Sequence, residues 1–431
     1  MSDVFTSDRK LAPYWWDRSP RPELAEVAFP ETVDVAIVGS GYTGLSAALV
    51  VARAGRSTLV LDAEHAGWGC STRNGGQIST SIKPDHETLA RRHGGEAASA
   101  IIREGQSALA WIGDFIAGEG IDCDFKVPGR FHAAHSPRQY ERLARAIASQ
   151  PKGLAVPAHV VPRDEQRREI GSDAYFGGVV FEKHACLDPG RFHQGLLERV
   201  LGAGAAVMPY CPVTSIESDG TSHTLITARG KVQARKVVVA TNGYTSGLFP
   251  WQRRRVIPIG SYMIATEPLA KDVMDQVMPT DRIVSDSRRV VYYYRPSPDR
   301  RRILFGGRVT SGETDPLRSG ALLHRDLVRL FPELSATRVS HSWMGFVAYT
   351  FDTLAHLGRH KGVYYAMGYC GSGVSMAAYL GTRVGQKVLG LPEGRTALDD
   401  IPFQTRPLYS GRPWFLAAPV AFYRVCDRLG L

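Results

Sequence analysis

The 431-residue chain is poor in the residues that build disulfide or metal frameworks. Its six cysteines (Cys70, Cys123, Cys186, Cys211, Cys370 and Cys426) are scattered, with no C-x-x-C and no His/Cys cluster at zinc-ligand spacing. That pattern excludes a disulfide scaffold and a structural zinc site. No stretch reaches the ~18–20 uncharged apolar residues that a membrane-spanning helix needs. The first residues, Met1 to Pro20, alternate charges and aromatics and contain no apolar core of a secretory signal. Reduced thiols and a cytoplasmic location are the expectation. Lysine is scarce as well, ten residues against 42 arginines in a formal net charge of +10. Short arginine runs at 253–255, 288–289 and 300–302 accompany no recognisable nucleic-acid module, so they read as solvated surface, and no nucleic-acid partner is expected.

What is present is an ordinary globular composition, 44% hydrophobic and 22% charged. The length corresponds to two or three domains at ~100–200 residues each. After a lead-in over 1–30 rich in proline and aromatics, the β-branched run Val33-Asp34-Val35-Ala36-Ile37-Val38 ends at Gly39-Ser40-Gly41-Tyr42-Thr43-Gly44. Leu45 to Ala52 then has the small and apolar residues of a helix packed on a sheet. Gly55 stops that helix, Ser57 to Leu61 reads as a second buried strand, and Asp62 follows it. Strand, glycine turn, helix, strand and acid make one βαβ unit. In the Gly39-x-Gly41-x-x-Gly44 spacing the first glycine permits a tight turn, the second lets the backbone approach a pyrophosphate, and the third lets helix and strand pack closely. The phosphates then rest on free N–H groups at a helix N-terminus. Asp62, 18 residues beyond Gly44, is placed to accept the ribose hydroxyls of FAD or NAD.

Helical periodicity runs over 95–120 and 138–150, and short strand-like segments occupy 157–182. A helix is expected over Asp188 to Leu201, with Asp188 as its cap and Pro189 behind it. Strands are expected at Ala206–Met208, Pro212–Ile216, Lys236–Ala240, Ile257–Ala265, Val290–Tyr294, Ile303–Phe305 and Gly362–Met367, the last leading through Gly368–Gly373 into a helix to Leu389. The segment Gly67 to Gln77 is dense in glycine and adds Ser71, Thr72, Arg73 and Asn74. Such a loop offers N–H donors to phosphate and to flavin ring atoms. The two asparagines of the chain, Asn74 and Asn242, both follow predicted strands, where each serves a ligand or a turn.

The Gly39 fingerprint, the Ser71-Thr72-Arg73-Asn74-Gly75-Gly76 loop, Ala240-Thr241-Asn242-Gly243-Tyr244 and the Gly368–Gly373 turn occur in the order seen in the glycine/D-amino-acid oxidase (DAO) family of FAD enzymes, which the chain resembles over roughly 14–420. The lead-in Tyr14-Trp15-Trp16, the run Ile257 to Glu267 and Trp343-Met344-Gly345-Phe346 resemble the γ-glutamylputrescine oxidoreductase-like members. The resemblance implies an α/β fold, a Rossmann-like FAD-binding domain of the glutathione-reductase/DAO type with an antiparallel-sheet plus helix substrate domain. It assigns 31–85, 155–250 and 350–395 to the FAD-binding domain, 86–154 and 251–349 to the substrate domain, and 396–431 to a C-terminal tail. FAD would contact Gly39, Ser40, Gly41, Tyr42, Thr43 and Gly44 at the pyrophosphate, Asp62 at the ribose, Val213 at the adenine and Ser71, Thr72, Arg73, Asn74, Gly75 and Gly76 beside the isoalloxazine. Gly371, Ser372, Gly373 and Val374 would present a helix N-terminus to the flavin C2=O.

The chain also departs from the family. Ser372 stands where relatives often have His, and Ala355 where many have Pro. Phe346-Val347-Ala348 occupy the place of a Cys that links FAD in some members, the 71–77 loop lacks the His that links it in others, and Ile303 to Arg308 lacks the Lys that activates oxygen in some oxidases. The resemblance therefore implies non-covalent FAD and leaves O2 or a quinone as electron acceptor. The implied reaction is hydride transfer from the carbon beside a small amine or amino-acid nitrogen to flavin N5, giving an imine that hydrolyses, with γ-glutamylputrescine-like amines favoured. A D-amino-acid or N-methyl-amino-acid dehydrogenase using a quinone, and a flavin-containing RNA-modification module, are the alternatives. Candidate catalytic residues are Tyr262, Trp343, Tyr349 and His65; Trp68 and Tyr294 are further candidates for the pocket and Arg308 for a substrate carboxylate. The apolar tail around Pro413–Arg424 would cover the core, form a dimer contact or make a peripheral membrane contact.

Overall fold

The computed structural model describes residues 4–80, 82–310 and 314–430. The continuous apolar run of Thr32–Val38 becomes the centre of a largely parallel sheet, flanked by Thr58–Leu61 on one side and Gly230–Val239 on the other. A strand this apolar must be covered on both faces. Val35 and Ile37 point into a core made by helices Tyr42–Arg53, Gly95–Glu119, Pro189–Gly202 and Gly373–Leu389, while Ala36 and Val38 meet Leu59, Val237, Val239, Met367 and Phe403 on the other face. Ala206–Met208 extends the sheet beyond Thr58–Leu61, and the hairpin Val213–Ser218/His223–Thr227 and the pair His356–His360/Val363–Met367 extend it beyond Gly230–Val239.

The second body is a nine-stranded sheet in the order Phe5–Lys10, Val339–Tyr349, Ile257–Thr266, Ile303–Thr310, Tyr293–Pro296, Ile283–Asp286, Arg130–Ala133, Gly178–Phe181 and Ala158–Val161. It is antiparallel except where Phe5–Lys10 joins Val339–Tyr349 and where Ile283–Asp286 joins Arg130–Ala133. Register sorts its side chains by parity. The partners Met344, Tyr262, Phe305, Tyr294, Val284 and Phe131 share the face covered by helix Pro316–Leu330. Trp343, Met263, Tyr293, Ser285 and His132 share the opposite face, with Arg130 two residues before His132 on the same side.

Several expectations need correction. The lead-in over 1–30 is not irregular throughout, because Phe5–Lys10 adds an edge strand and Trp15 is completely buried. Strands Ala158–Val161 and Gly178–Phe181 pair into the nine-stranded sheet and not into the dinucleotide-binding body assigned to 155–250. Helix Gly95–Glu119, assigned to the substrate domain, packs through Ala98, Ile101, Ala108, Ile112 and Ile116 into the core that holds Tyr42–Arg53. The strand placed at Val290–Tyr294 starts only at Tyr293, because the Val290 amide is taken by the Asp427 carboxylate. The tail contributes Leu398, Phe403 and Tyr409 to the interior and ends in helix Ala417–Arg428, which leaves Trp414, Phe422, Val425 and Leu429 exposed. Among the described residues no helix is long and apolar enough to cross a membrane.

Helices Tyr42–Arg53 and Gly373–Leu389 touch backbone to backbone through glycine. A Cβ on Gly381 would stand 2.5 Å from Thr43 O, and one on Gly385 2.9 Å from Ala47 O. Gly381→Val is therefore expected to lower stability by at least about 2 kcal/mol, read from the urea midpoint at unchanged m-value.

Candidate active site

The glycine turn is shaped by contacts that leave no room for side chains. Gly39 has φ +107°, and a Cβ on Gly44 would lie 1.9 Å from Gly39 O. The Asp62 carboxylate anchors the turn, accepting from Ser40 N–H at 2.7 Å and from its hydroxyl at 2.5 Å. His193 Nε2 meets Ser40 O from the other side at 2.8 Å. Burial and the nearby Arg21 cation push His193 down to about 3, so it is neutral. Tyr42 and Thr43 are buried, Tyr42 with its hydroxyl on Pro189 O and Thr43 with its hydroxyl 2.6 Å from that of Tyr369. Gly39, Gly41 and Asp62 keep accessible surface.

The 67–77 loop is wedged between the two bodies. Asn74 folds it, donating to Cys70 O and Ser71 O and accepting from Gly76 N–H. Thr72 donates to Gly67 O and accepts from the Trp16 indole. The Arg73 guanidinium lies between the Trp16 and Trp68 rings, 4.8 and 4.5 Å from their centroids, and donates to Trp68 O and Met344 O. Ser71 Oγ accepts from Tyr42 N–H. Gly75 faces the Tyr293 ring and Met263, and Gly76 has φ +66°.

A group of side chains combines two properties rarely found together. Cys70, Lys83, Arg130, His132, Tyr293 and Tyr349 keep accessible surface, yet the charged form of each is disfavoured chiefly by desolvation. Cys70, Arg130, His132, Tyr293 and Tyr349 are partly accessible and Lys83 is exposed, so these groups border one space open to solvent. They are contiguous: Tyr293 is electrostatically coupled to Cys70 and Tyr349, Lys83 Nζ lies 5.9 Å from the Tyr349 ring centroid, and Lys83 and Arg130 repel one another. Gly371, with φ +88°, opens onto the same space, 3.4 Å from the Tyr349 hydroxyl and 3.9 Å from Lys83 Nζ as measured from the site of a Cβ. It immediately precedes Ser372 and the helix beginning at Gly373. A separate surface groove of about 390 Å³ beside Lys126–Pro128 and Thr280–Arg282 contains none of these groups.

The family model described as FAD dependent oxidoreductase (DAO) matches residues 34–386. The chain belongs to the DAO family. It is 31% identical over 408 residues to the γ-glutamylputrescine oxidoreductase of Escherichia coli, an alignment that covers 93% of this chain and 94% of that protein. It is 30% identical to a probable oxidoreductase of Rhizobium meliloti, covering 96% and 97%. Among solved structures, the glycine oxidase of Geobacillus kaustophilus superposes with a TM-score of 0.75 at 20% identity, covering 88% of this chain and 99% of that one. The L-proline dehydrogenase of P. horikoshii gives 0.70 at 17% identity, covering 91% and 99%. These two likenesses show the DAO fold.

The protein is an FAD-dependent oxidoreductase, and its residues fit the cofactor. The accessible Gly39–Gly41 turn at a helix N-terminus without a side-chain cap suits the pyrophosphate, and the cavity behind Gly75, Tyr293 and Gly371 suits the ring system. Tyr349 faces that cavity. Three other candidates do not: Tyr262 and Tyr294 are fully buried on the far face, their hydroxyls bonded to Thr314 and Tyr175, and Trp343 is buried with its N–H on Arg73 O. A side chain with no accessible surface has no surface in the cavity, so these three hold the fold. His65 packs edge-on against Trp16, and its electrostatic neighbours Arg21, Arg73 and Asp62 place it at the nucleotide end. Trp68 spends its faces on Arg73 and Tyr244. Val213 is an edge-strand residue near Cys211, whose N–H donates to Asp62 O. Asn242, at φ +42°, accepts from Gly368 N–H and so braces a turn. The Arg308 side chain is outside what the structure describes. Sequence reasoning missed Tyr293, Lys83, Arg130 and His132, because only strand register brings three of them to one face.

Asp62→Ala frees the turn from its anchor and removes the acceptor at the strand end, and is expected to weaken FAD retention about tenfold or more, measured by flavin fluorescence after dilution. His193 and the buried His184, pushed down to about 2 by burial, titrate near about 6.5 once unfolded. The unfolded chain therefore takes up protons that the fold refuses. The stability from neutral burial is full above pH 6.5 and is lost on acidification, by about 1.4 kcal/mol per pH unit for each histidine. Urea midpoints falling from pH 7 to pH 5, with a shallower slope for His184→Leu, are the expected result.

Proposed function

We propose that the protein oxidises the carbon–nitrogen bond of a small amine or amino acid to an imine that water hydrolyses, with γ-glutamylputrescine-like amines favoured. The space bordered by Gly371, Tyr349 and Lys83 supports this reading, together with the E. coli relative, whose name states γ-glutamylputrescine as its substrate. FAD, when bound, supplies the two-electron acceptor for the hydride that leaves the carbon beside nitrogen. Gly39 and Gly41 would hold its pyrophosphate on a turn braced by the buried Ser40, Thr43 and Gly44, Asp62 would hold its ribose, Val213 its adenine, the Ser71–Gly76 loop and Tyr293 one side of its ring, and Gly371, Ser372, Gly373 and Val374 its pyrimidine edge. With Ala348 ahead of Tyr349 and no histidine in 71–77, the cofactor is held non-covalently.

The chain's own residues prepare the amine. A desolvated cavity disfavours an ammonium ion, and the positive charges of Lys83 and Arg130 disfavour it further, so the nitrogen enters or becomes neutral with its lone pair available. Tyr349, whose phenol burial pushes well up, stays a neutral donor at the cavity wall. Tyr293 is pushed up to about 12, and its hydroxyl lies 3.0 Å from Ser261 Oγ, which orients the ring over Gly75. The electron acceptor is O2 or a quinone.

Anaerobic mixing of the holoenzyme with γ-glutamylputrescine, putrescine, sarcosine, D-amino acids and L-amino acids tests the reading. Loss of the flavin absorbance with one of these classes is expected, and the rate of its return in air separates oxidase from dehydrogenase. A flavin that dithionite reduces but that no member of the panel bleaches would overturn it.

A further inference from the structure

A surface helix ordinarily turns its apolar stripe to the core and a polar face to water. Helix Ala417–Arg428 carries a second apolar stripe, and that one faces outward. Its inner side is fastened in place. The Asp427 carboxylate accepts from Arg289 N–H at 2.8 Å and from Val290 N–H at 3.0 Å, and Gly430 O, just past the helix, accepts from Ser136 Oγ at 2.8 Å. Leu416 and Val420, on the same side as Asp427, are buried. These contacts fix the rotation of the helix and leave Ala418, Phe422, Val425 and Leu429 pointing away, at the i, i+4, i+7, i+11 spacing of one face. Phe422 is 62% exposed, Val425 51% and Leu429 68%. Trp414, in the turn that leads into the helix through Leu416 N–H on Pro413 O, is 72% exposed.

The charges around this stripe have one sign. Arg424 and Arg428 flank it, Arg412 stands two residues before Trp414, and all three are exposed. The single acid of the helix, Asp427, is turned inward onto its two amides. At Trp414 the apolar surface meets a groove of about 610 Å³ lined also by Tyr244, Pro258 and Phe346, with Arg253 and Arg412 beside them. A second copy seated on the stripe would bring Arg424 and Arg428 of both chains together with no counter-charge. An anionic bilayer supplies what the surface needs: apolar depth for the aromatic and aliphatic side chains, and phosphates for the arginines. The stripe is roughly 16 Å long at 1.5 Å per residue, a length that lies along a membrane surface. Among the described residues no helix is long and apolar enough to cross one.

We propose that Trp414 and helix Ala417–Arg428 dock the protein on the surface of an anionic membrane. The helix axis lies parallel to the bilayer, with Trp414, Phe422, Val425 and Leu429 in the headgroup region and Arg412, Arg424 and Arg428 on lipid phosphates. The groove beside Trp414 then opens at the bilayer surface.

Co-sedimentation of the holoenzyme with vesicles of phosphatidylcholine and phosphatidylglycerol in equal parts, followed by flavin absorbance, tests this. Wild-type protein is expected to pellet with these vesicles, to pellet less as salt is raised, and to bind pure phosphatidylcholine far more weakly. The pair Phe422→Ser and Leu429→Ser is expected to weaken binding at least about tenfold, and the pair Arg424→Gln and Arg428→Gln about tenfold on anionic vesicles alone. All four side chains are exposed, so the Tm and the flavin content of both variants are expected to match wild type. Should the serine pair fail to fold, the glutamine pair gives the same reading through its loss of lipid-charge dependence. Protein that stays in the supernatant with anionic vesicles, or a serine pair that pellets as wild type does, overturns the proposal. A dimer that the serine pair dissociates also overturns it, because a second copy then covers the stripe. No substrate enters the measurement, so its outcome is independent of the amine oxidation proposed above.

Discussion

Two indole N–H groups donate to consecutive carbonyls of one loop: Trp15 to Asn74 O and Trp343 to Arg73 O, each at 2.8 Å. Trp343 belongs to the nine-stranded sheet and Trp15 to the short N-terminal helix packed beside it, whereas the loop begins its path at the turn of the dinucleotide-binding body. These bonds hold the loop between two separately built sheets. Arg73, clamped by two tryptophan faces and bonded to Met344 O, reinforces the joint. A loop so held sets Gly75 against the Tyr293 ring and leaves Cys70 accessible.

The electrostatics of that space follow from what was walled in with it. Phenols and a thiol remain protonated, Cys70 with its thiol pushed up to about 11 by burial, and histidines remain unprotonated. Among the described residues, Lys83 and Arg130 bring positive charge to it. Such a site repels cations, and an amine reaches it more readily as the free base.

The dinucleotide-binding half was legible because its physics is local. Gly44 is forced by its approach to Gly39 O five residues earlier, and the doubly buried Val35–Val38 run announces a covered parallel strand, whereas Gly39 is crowded by Ala240 O and Gly41 by Ser71 Oγ. Aromatic candidates were less legible. Tyr262, Tyr294 and Trp343 lie on strands that line the site, but one residue of register decides which face a side chain takes, and for Tyr262 and Tyr294 it is the far one. Tyr293, adjacent to Tyr294, shows the same rule from the other side.

The amino-acid sequence by itself determined the βαβ unit, its glycine turn and acid, the glycine-rich loop, and through their order the DAO family and FAD. Each is a pattern of residues at short spacing along the chain, which carries the local geometry. Tertiary structure alone decided that strands 158–181 and 5–10 join the substrate sheet, that Gly95–Glu119 packs on the dinucleotide side, and that Lys83, Arg130, Tyr293 and Tyr349 meet around one cavity. Those residues come from separate segments, and their proximity depends on sheet order, register and the loop that joins the two bodies.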